Sequence, residues 1–140
     1  MARHFMLLSN LAFSIFAFFA LNNSAYSKEE KKYETLICNP AFARKVPDRW
    51  RGVGPLKASR LVSMSLFSGP PEQLASLAPD NDSATRPQWK MDPATSYWVT
   101  CNYEHAIIAI PVPAGATTCA FEYKARPARK FLDGASGLCR

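Results

Sequence analysis

The stretch that decides the fold is Tyr97-Trp98-Val99-Thr100-Cys101-Asn102-Tyr103. It is rich in aromatic and β-branched residues, which favour extended backbone. Because side chains alternate across a strand, two faces result: Tyr97, Val99, Cys101 and Tyr103 on one, and Trp98, Thr100 and Asn102 on the other. This is the strongest strand signal in the chain, and the remaining elements are read outward from it.

Alternating strands follow on the C-terminal side. Glu104-His105 is predicted to be a two-residue hairpin turn into a strand over Ala106–Pro111. Thr118–Lys124 alternates again, with Cys119, Phe121 and Tyr123 predicted inward. A last short strand is expected over Ser136–Arg140.

Similar signals precede the central strand. Leu61–Phe67 alternates, which predicts a strand that buries Val62, Met64 and Leu66. Pro71 is expected to start a short helical turn with Leu74 and Leu77 as its apolar side. The other elements expected are a long ordered loop over Ala41–Ala58, and short strands over Gln88–Met91 and Tyr33–Ile37.

Short strands punctuated by Pro and Gly indicate an all-β fold. We expect a small antiparallel meander that forms a sandwich or partly closed barrel, with one or two short helical turns.

The N-terminus has the organisation of a secretory signal peptide. A basic start, Met1–His4, precedes an apolar run over Phe5–Leu21 and the small-x-small triplet Ala25-Tyr26-Ser27. This pattern predicts a helical signal peptide over residues 1–27, cleaved near Ser27, rather than a retained membrane anchor. The expected product is one domain over residues 28–140, periplasmic or secreted and without a membrane span.

The cysteines are Cys38, Cys101, Cys119 and Cys139. An even number in a short exported chain predicts two disulfides rather than a metal site. The preferred pairing is Cys38 with Cys101 and Cys119 with Cys139, which would attach the first and last strands to the sheet. The other two connectivities remain open at this stage.

Positive charge is concentrated before the first long strand. The whole chain carries a formal charge of +6, or +5 without the signal peptide. Arg49, Trp50 and Arg51 lie in a basic segment that also contains Arg44 and Lys45, and such a segment suits an anionic envelope polymer or an acidic protein surface. The alternative is that Trp50 belongs to the core and the basic side chains are merely solvated.

A second candidate binding element is the proline-rich loop Ser68-Gly69-Pro70-Pro71-Glu72. Two prolines reduce its conformational entropy, so it would enter a partner's cleft at low ordering cost. The alternative is a structural corner between a strand and a helical turn.

Catalytic signals are weak. Glu104 and His105 are a conceivable general-base pair, although such a pair is more often a solvated hairpin tip. The sequence contains no recognisable catalytic constellation, metal-ligand set or cofactor fingerprint, so no catalytic residue, metal or cofactor is predicted.

The ordered pattern Cys38-x-Pro40, Leu66–Pro71, Trp98-x-x-Cys101-x-Tyr103 and Cys119 resembles a family of small exported proteins of Gram-negative bacteria. The resemblance implies an all-β exported protein without an established enzyme activity. Family members usually carry Asp where this chain has Ser68, so a role for that acid does not transfer. Some relatives are encoded near contact-dependent secretion systems.

The leading hypothesis is therefore a periplasmic inhibitor or immunity protein that covers the active site of a cell-wall-targeting toxin or hydrolase. Alternatives are a module that binds anionic envelope polymer and a small hydrolase that uses His105. Export argues against an intracellular nucleic acid as partner.

Overall fold

The computed structural model describes residues 35–81, 83–125 and 128–140. The predicted signal peptide over residues 1–27 and the start of the predicted domain, residues 28–34, lie outside these ranges. Within them the chain forms nine strands and one 3-10 helix over Pro71–Gln73, and the strands are β1 (Thr35–Cys38), β2 (Ala41–Phe42), β3 (Arg51–Val53), β4 (Ser59–Ser68), β5 (Gln88–Lys90), β6 (Tyr97–Tyr103), β7 (Ala106–Pro111), β8 (Thr118–Tyr123) and β9 (Ala135–Cys139). The all-β prediction with a short helical turn is confirmed.

The strands form two antiparallel sheets. One has the order β1-β9-β8-β5 and the other has the order β2-β4-β6-β7-β3. The strand over Tyr97–Tyr103 lies near the centre of the second sheet, between β4 and β7. As predicted, β6 and β7 are joined by a two-residue turn at Glu104 and His105.

One hydrophobic core lies between the sheets. It joins Trp89 and Phe121 of the first sheet to Leu61, Leu66 and Val99 of the second. A partly buried hydrogen bond also joins the sheets, because the Tyr123 hydroxyl donates to the Met64 carbonyl at 2.8 Å.

Both disulfides of the preferred pairing are present. Cys38 of β1 is bonded to Cys101 of β6, which links the two sheets. Cys119 and Cys139 are bonded across the neighbouring strands β8 and β9, at directly opposite positions of the ladder. The chain therefore has one bridge between its sheets and one within a sheet.

Two sequence-based expectations are wrong, one about the buried face of β4 and one about the predicted loop over Ala41–Ala58. Val62 is 37% exposed and Leu61 is fully buried instead, because the β4–β6 register shifts between Leu61 and Ser63. Such a bulge inserts one residue and exchanges the two faces of the strand on one side of it. The segment read as a loop over Ala41–Ala58 contains strand β2 and strand β3, which are too short to show periodicity and are held by pairing to β4 and β7.

Within the described ranges, no helix has the length and the apolar character needed to cross a membrane.

Candidate functional site

The proline-rich loop, which we define here as Ser68–Leu74, leaves the end of β4 and returns along the same strand. The Ser68 amide donates to the Ala75 carbonyl at 3.1 Å, and the Leu77 amide donates to the Leu66 carbonyl at 2.8 Å. An isolated antiparallel bridge joins Phe67 to Ser76 between these two bonds. The base of the loop is therefore closed by backbone hydrogen bonds on both sides of that bridge.

The body of the loop is equally constrained. Gly69 has a φ of 91°, which side-chain-bearing residues rarely adopt, and its amide donates to the Ser96 carbonyl at 2.8 Å. Pro70 precedes the 3-10 helix, and Pro71 begins it and is buried. Proline at the first helical position is favourable because it has no amide hydrogen to satisfy.

An ion pair attaches the loop to the far edge of the five-stranded sheet. The Arg51 guanidinium in β3 donates two hydrogen bonds to the Glu72 carboxylate, one of them from Nη2 to Oε2 at 2.7 Å. The guanidinium carbon also lies 4.5 Å from the centroid of the Trp98 ring. A guanidinium group is suited to both interactions, because it can donate two hydrogen bonds to one carboxylate and also lie over an aromatic ring. We call Arg51, Glu72 and Trp98 the clamp.

The clamp changes the acidity of its carboxyl group. The hydrogen bonds from Arg51, together with a backbone hydrogen bond to Glu72, lower the pKa of Glu72 from 4.5 to about 2. The same hydrogen bonds raise the pKa of Arg51 above its usual value. The pair is thus fully charged at neutral pH.

We expect the clamp to persist at mildly acidic pH. Because the pKa of Glu72 in the folded protein lies below its ordinary value, the pair stabilises the loop above about pH 4.5 and is lost as the pH falls towards 2. A carboxyl NMR titration should therefore place the pKa of Glu72 near 2, and Arg51→Ala should return it towards 4.5. A Glu72 pKa that Arg51→Ala leaves unchanged would contradict the clamp.

Leu74 ends the 3-10 helix in a way that the sequence did not predict. Its side chain was expected on the apolar side of the turn, yet it is 82% exposed. Its φ and ψ of 57° and 20° are left-handed, and its amide donates to the Pro71 carbonyl at 3.0 Å. The left-handed backbone at this position turns the side chain outward, whereas Leu77 packs against the core.

The predicted pair Glu104 and His105 lies at the other end of β6 from the loop. The Glu104 carboxylate lies 3.3 Å from the Lys130 ammonium and 3.8 Å from His105 Nε2. Both residues line an open groove of about 350 Å³ between Pro55 and Ala106. The structure therefore does not bring this turn together with the proline-rich loop. The Glu104 carboxylate pairs with Lys130 as well as with His105, so it is not dedicated to His105.

The basic segment is divided by the fold. Trp50 is half-buried and packs against the core, which was the alternative reading of this residue. Arg49 is exposed with a φ of 70°, while Arg51 is engaged by Glu72. The positive charge of Arg51 is therefore compensated within the molecule by Glu72.

Sequence reasoning placed Arg51 and Glu72 in separate candidate elements and did not include Trp98 or Leu74 among the candidate binding residues. Trp98 carried a usable signal, because period-two alternation set it on the face of β6 opposite the buried Val99. The contact between Arg51 and Glu72 had no such signal, since it joins residues that lie 21 positions apart.

The site is thus a loop on a disulfide-linked β-sandwich that is closed by backbone hydrogen bonds, is attached by an ion pair and ends in an exposed apolar side chain. The family model for the type VI secretion system Tli immunity protein matches residues 56–140, which is more than half of the chain. The chain belongs to this family. No curated protein and no solved structure matches it.

Family membership confirms the expected link to secretion-system immunity and identifies the partner as a protein toxin. It favours a binding role over an enzymatic one. The matched region contains the whole proline-rich loop and Trp98, whereas the basic residues from Arg44 to Arg51 precede it.

Proposed function

We propose that this chain is a periplasmic immunity protein that neutralises a cell-wall-targeting toxin or another hydrolase of the cell envelope by covering its active site. The observation that carries the proposal is the clamped proline-rich loop in a chain of the immunity family. Active sites are mostly clefts, and a preorganised loop with Glu72–Leu74 exposed is suited to enter one.

Preorganisation supports this role of the loop. Ordering a flexible segment on binding costs free energy that subtracts from affinity. Here the base bridge, the two prolines and the clamp order the loop before it meets a partner. The exposed part of the loop is Glu72–Leu74, whereas Ser68–Pro70 are partly buried and Pro71 is buried.

The disulfides and the signal-peptide pattern support the periplasm as the compartment. Disulfides persist in the periplasm and are rare in the cytosol, where thiols are kept reduced. A toxin that acts on the cell envelope would be met in the same compartment. Cell fractionation with an antibody against the chain would test this part of the proposal, and recovery in the cytosol would contradict it.

The direct test is a binding and inhibition assay. Products of type VI effector genes that neighbour the gene for this chain are purified, mixed with it and analysed by size-exclusion chromatography and calorimetry. We expect a stable complex with one of them and loss of that toxin's hydrolytic activity in the complex. A complex in which the toxin keeps full hydrolytic activity would contradict occlusion of the active site.

Releasing the clamp should weaken the complex. Glu72→Gln keeps the shape of the side chain but removes the charge that holds Arg51, so the loop must be ordered on binding, and we expect affinity to fall by about tenfold. Calorimetry with the purified toxin measures this change. The matched control is Arg86→Ala, which breaks the exposed pair between Arg86 and Glu122 on the other sheet.

The control should retain the affinity of the unmodified chain. If Glu72→Gln and Arg86→Ala affect toxin binding equally, the clamp has no special role in recognition.

A further inference from the structure

We propose that Leu74 is the anchor of the toxin-binding surface and inserts into an apolar pocket on the toxin. The inference rests on the proposed function and adds to it the residue that makes the central contact and the chemistry of the surface it meets. It starts from two properties of Leu74 that do not favour stability of the free protein.

The first property is its backbone. Leu74 has a φ of 57°, a left-handed conformation that costs free energy for any residue with a Cβ atom and is normally taken by Gly, Asn or Asp. Residues held in such conformations cluster at functional sites, where the surroundings maintain the strain. The surroundings here are the bond from the Leu74 amide to the Pro71 carbonyl and the closed base of the loop.

The second property is its exposure. Four large hydrophobic residues are notably exposed in the described ranges, and Leu74 at 82% exceeds Ile37 at 61% and both Val62 and Leu138 at 37%. The other three lie on strands, where part of the side chain rests on the sheet. Leu74 alone among these four lies outside the strands, at the end of the 3-10 helix, and most of its apolar surface is available to a partner.

Together, these two properties describe an exposed apolar side chain on a constrained backbone. The clamp fixes Glu72 two positions before Leu74, and the Ser68–Ala75 bond fixes the position after it. The backbone that carries Leu74 is therefore held in place before binding, so burial of its side chain would contribute to affinity with little cost for ordering the backbone.

The surroundings of Leu74 indicate what its pocket looks like. Glu72 and Gln73 are exposed beside it, and the Glu72 charge is already balanced by Arg51. The complementary surface is thus an apolar pocket of about the size of one leucine side chain, bordered by polar groups. An apolar centre with a polar rim is the usual arrangement of an energetically dominant contact between proteins.

The test separates apolar contact from backbone conformation by two substitutions. Leu74→Asn suits the left-handed backbone but removes the apolar surface, whereas Leu74→Met keeps the apolar surface. Binding to the purified toxin is measured by calorimetry, and folding by the thermal midpoint. The control for an exposed hydrophobic elsewhere is Ile37→Thr, which suits its strand.

We expect Leu74→Asn to weaken toxin binding by about tenfold or more while its thermal midpoint is equal to or above that of the unmodified chain. Leu74→Met and Ile37→Thr should bind within about threefold of the unmodified chain. Wild-type affinity of Leu74→Asn would overturn the role of Leu74 and leave the proposed function standing. Absence of any complex with the unmodified chain would overturn both.

Discussion

Replacing Cys38 and Cys101 together by alanine should lower the free energy of unfolding by about 4 kcal/mol. The bridge closes a loop across 63 positions of sequence, and a cross-link over so long a span strongly restricts the unfolded chain. Both cysteines are almost completely buried, so their loss also leaves unfilled space between the sheets. For a domain of this size, the thermal midpoint should fall by roughly 10 to 20 °C.

The matched control is the double replacement of Cys119 and Cys139 by alanine. Its bridge spans 20 positions and joins strands that are already neighbours, so we expect a loss about 1 kcal/mol smaller. Guanidinium unfolding of both variants, followed by fluorescence, measures the difference. A larger loss from the second bridge than from the first would contradict the view that the inter-sheet link dominates.

Phe121→Ala should cost about 3 to 5 kcal/mol of stability. Phe121 is 2% exposed, and its ring centroid lies 4.6 Å from that of Trp89. The ring also packs tightly against Gly137 of the neighbouring strand β9. A Cβ atom added to Gly137 would lie only 2.9 Å from the Phe121 ring, so there is no free space between the two residues. Neighbouring side chains cannot collapse fully into the space that the ring would leave, so the cavity adds to the lost burial.

Leu138→Ala provides the comparison for Phe121→Ala. Leu138 pairs with Ala120, the residue next to Phe121, but it is 37% exposed on the outer face of the sheet. Its truncation should cost less than about 1 kcal/mol. Equal losses in the two variants, measured by denaturant unfolding, would show that Phe121 is not a centre of the core.

The core around Phe121 also supports the candidate site. The indole of Trp89 donates to the Leu77 carbonyl at 3.2 Å, and the Leu77 amide donates to the Leu66 carbonyl of β4. The segment that follows the proline-rich loop is therefore linked at Leu77 to both sheets. A variant that loosens this core should weaken toxin binding as well as stability, whereas Leu74→Asn should weaken toxin binding alone.

The local sequence pattern was sufficient to predict the bounds of the long central strands β6 and β7. The bounds of β6 and β7 agree with prediction, because seven and six residues of apolar and β-branched sequence separated by a two-residue turn leave little choice of structure. It was insufficient for β3, which is only Arg51–Val53 and depends on pairing with β7. The side chain of Arg51 could not be placed while its backbone was taken for a loop.

The amino-acid sequence by itself determined that the protein is all-β, that two disulfides are present, and that prolines restrict the backbone of Ser68–Glu72. These properties follow from alternation, cysteine number and proline chemistry, which act over a few neighbouring residues or on the composition as a whole. Only the tertiary structure decided that Arg51 reaches Glu72 and stacks on Trp98, and that Leu74 points into solvent. Those features depend on which strands become neighbours and on one left-handed backbone angle, and local sequence pattern specifies neither.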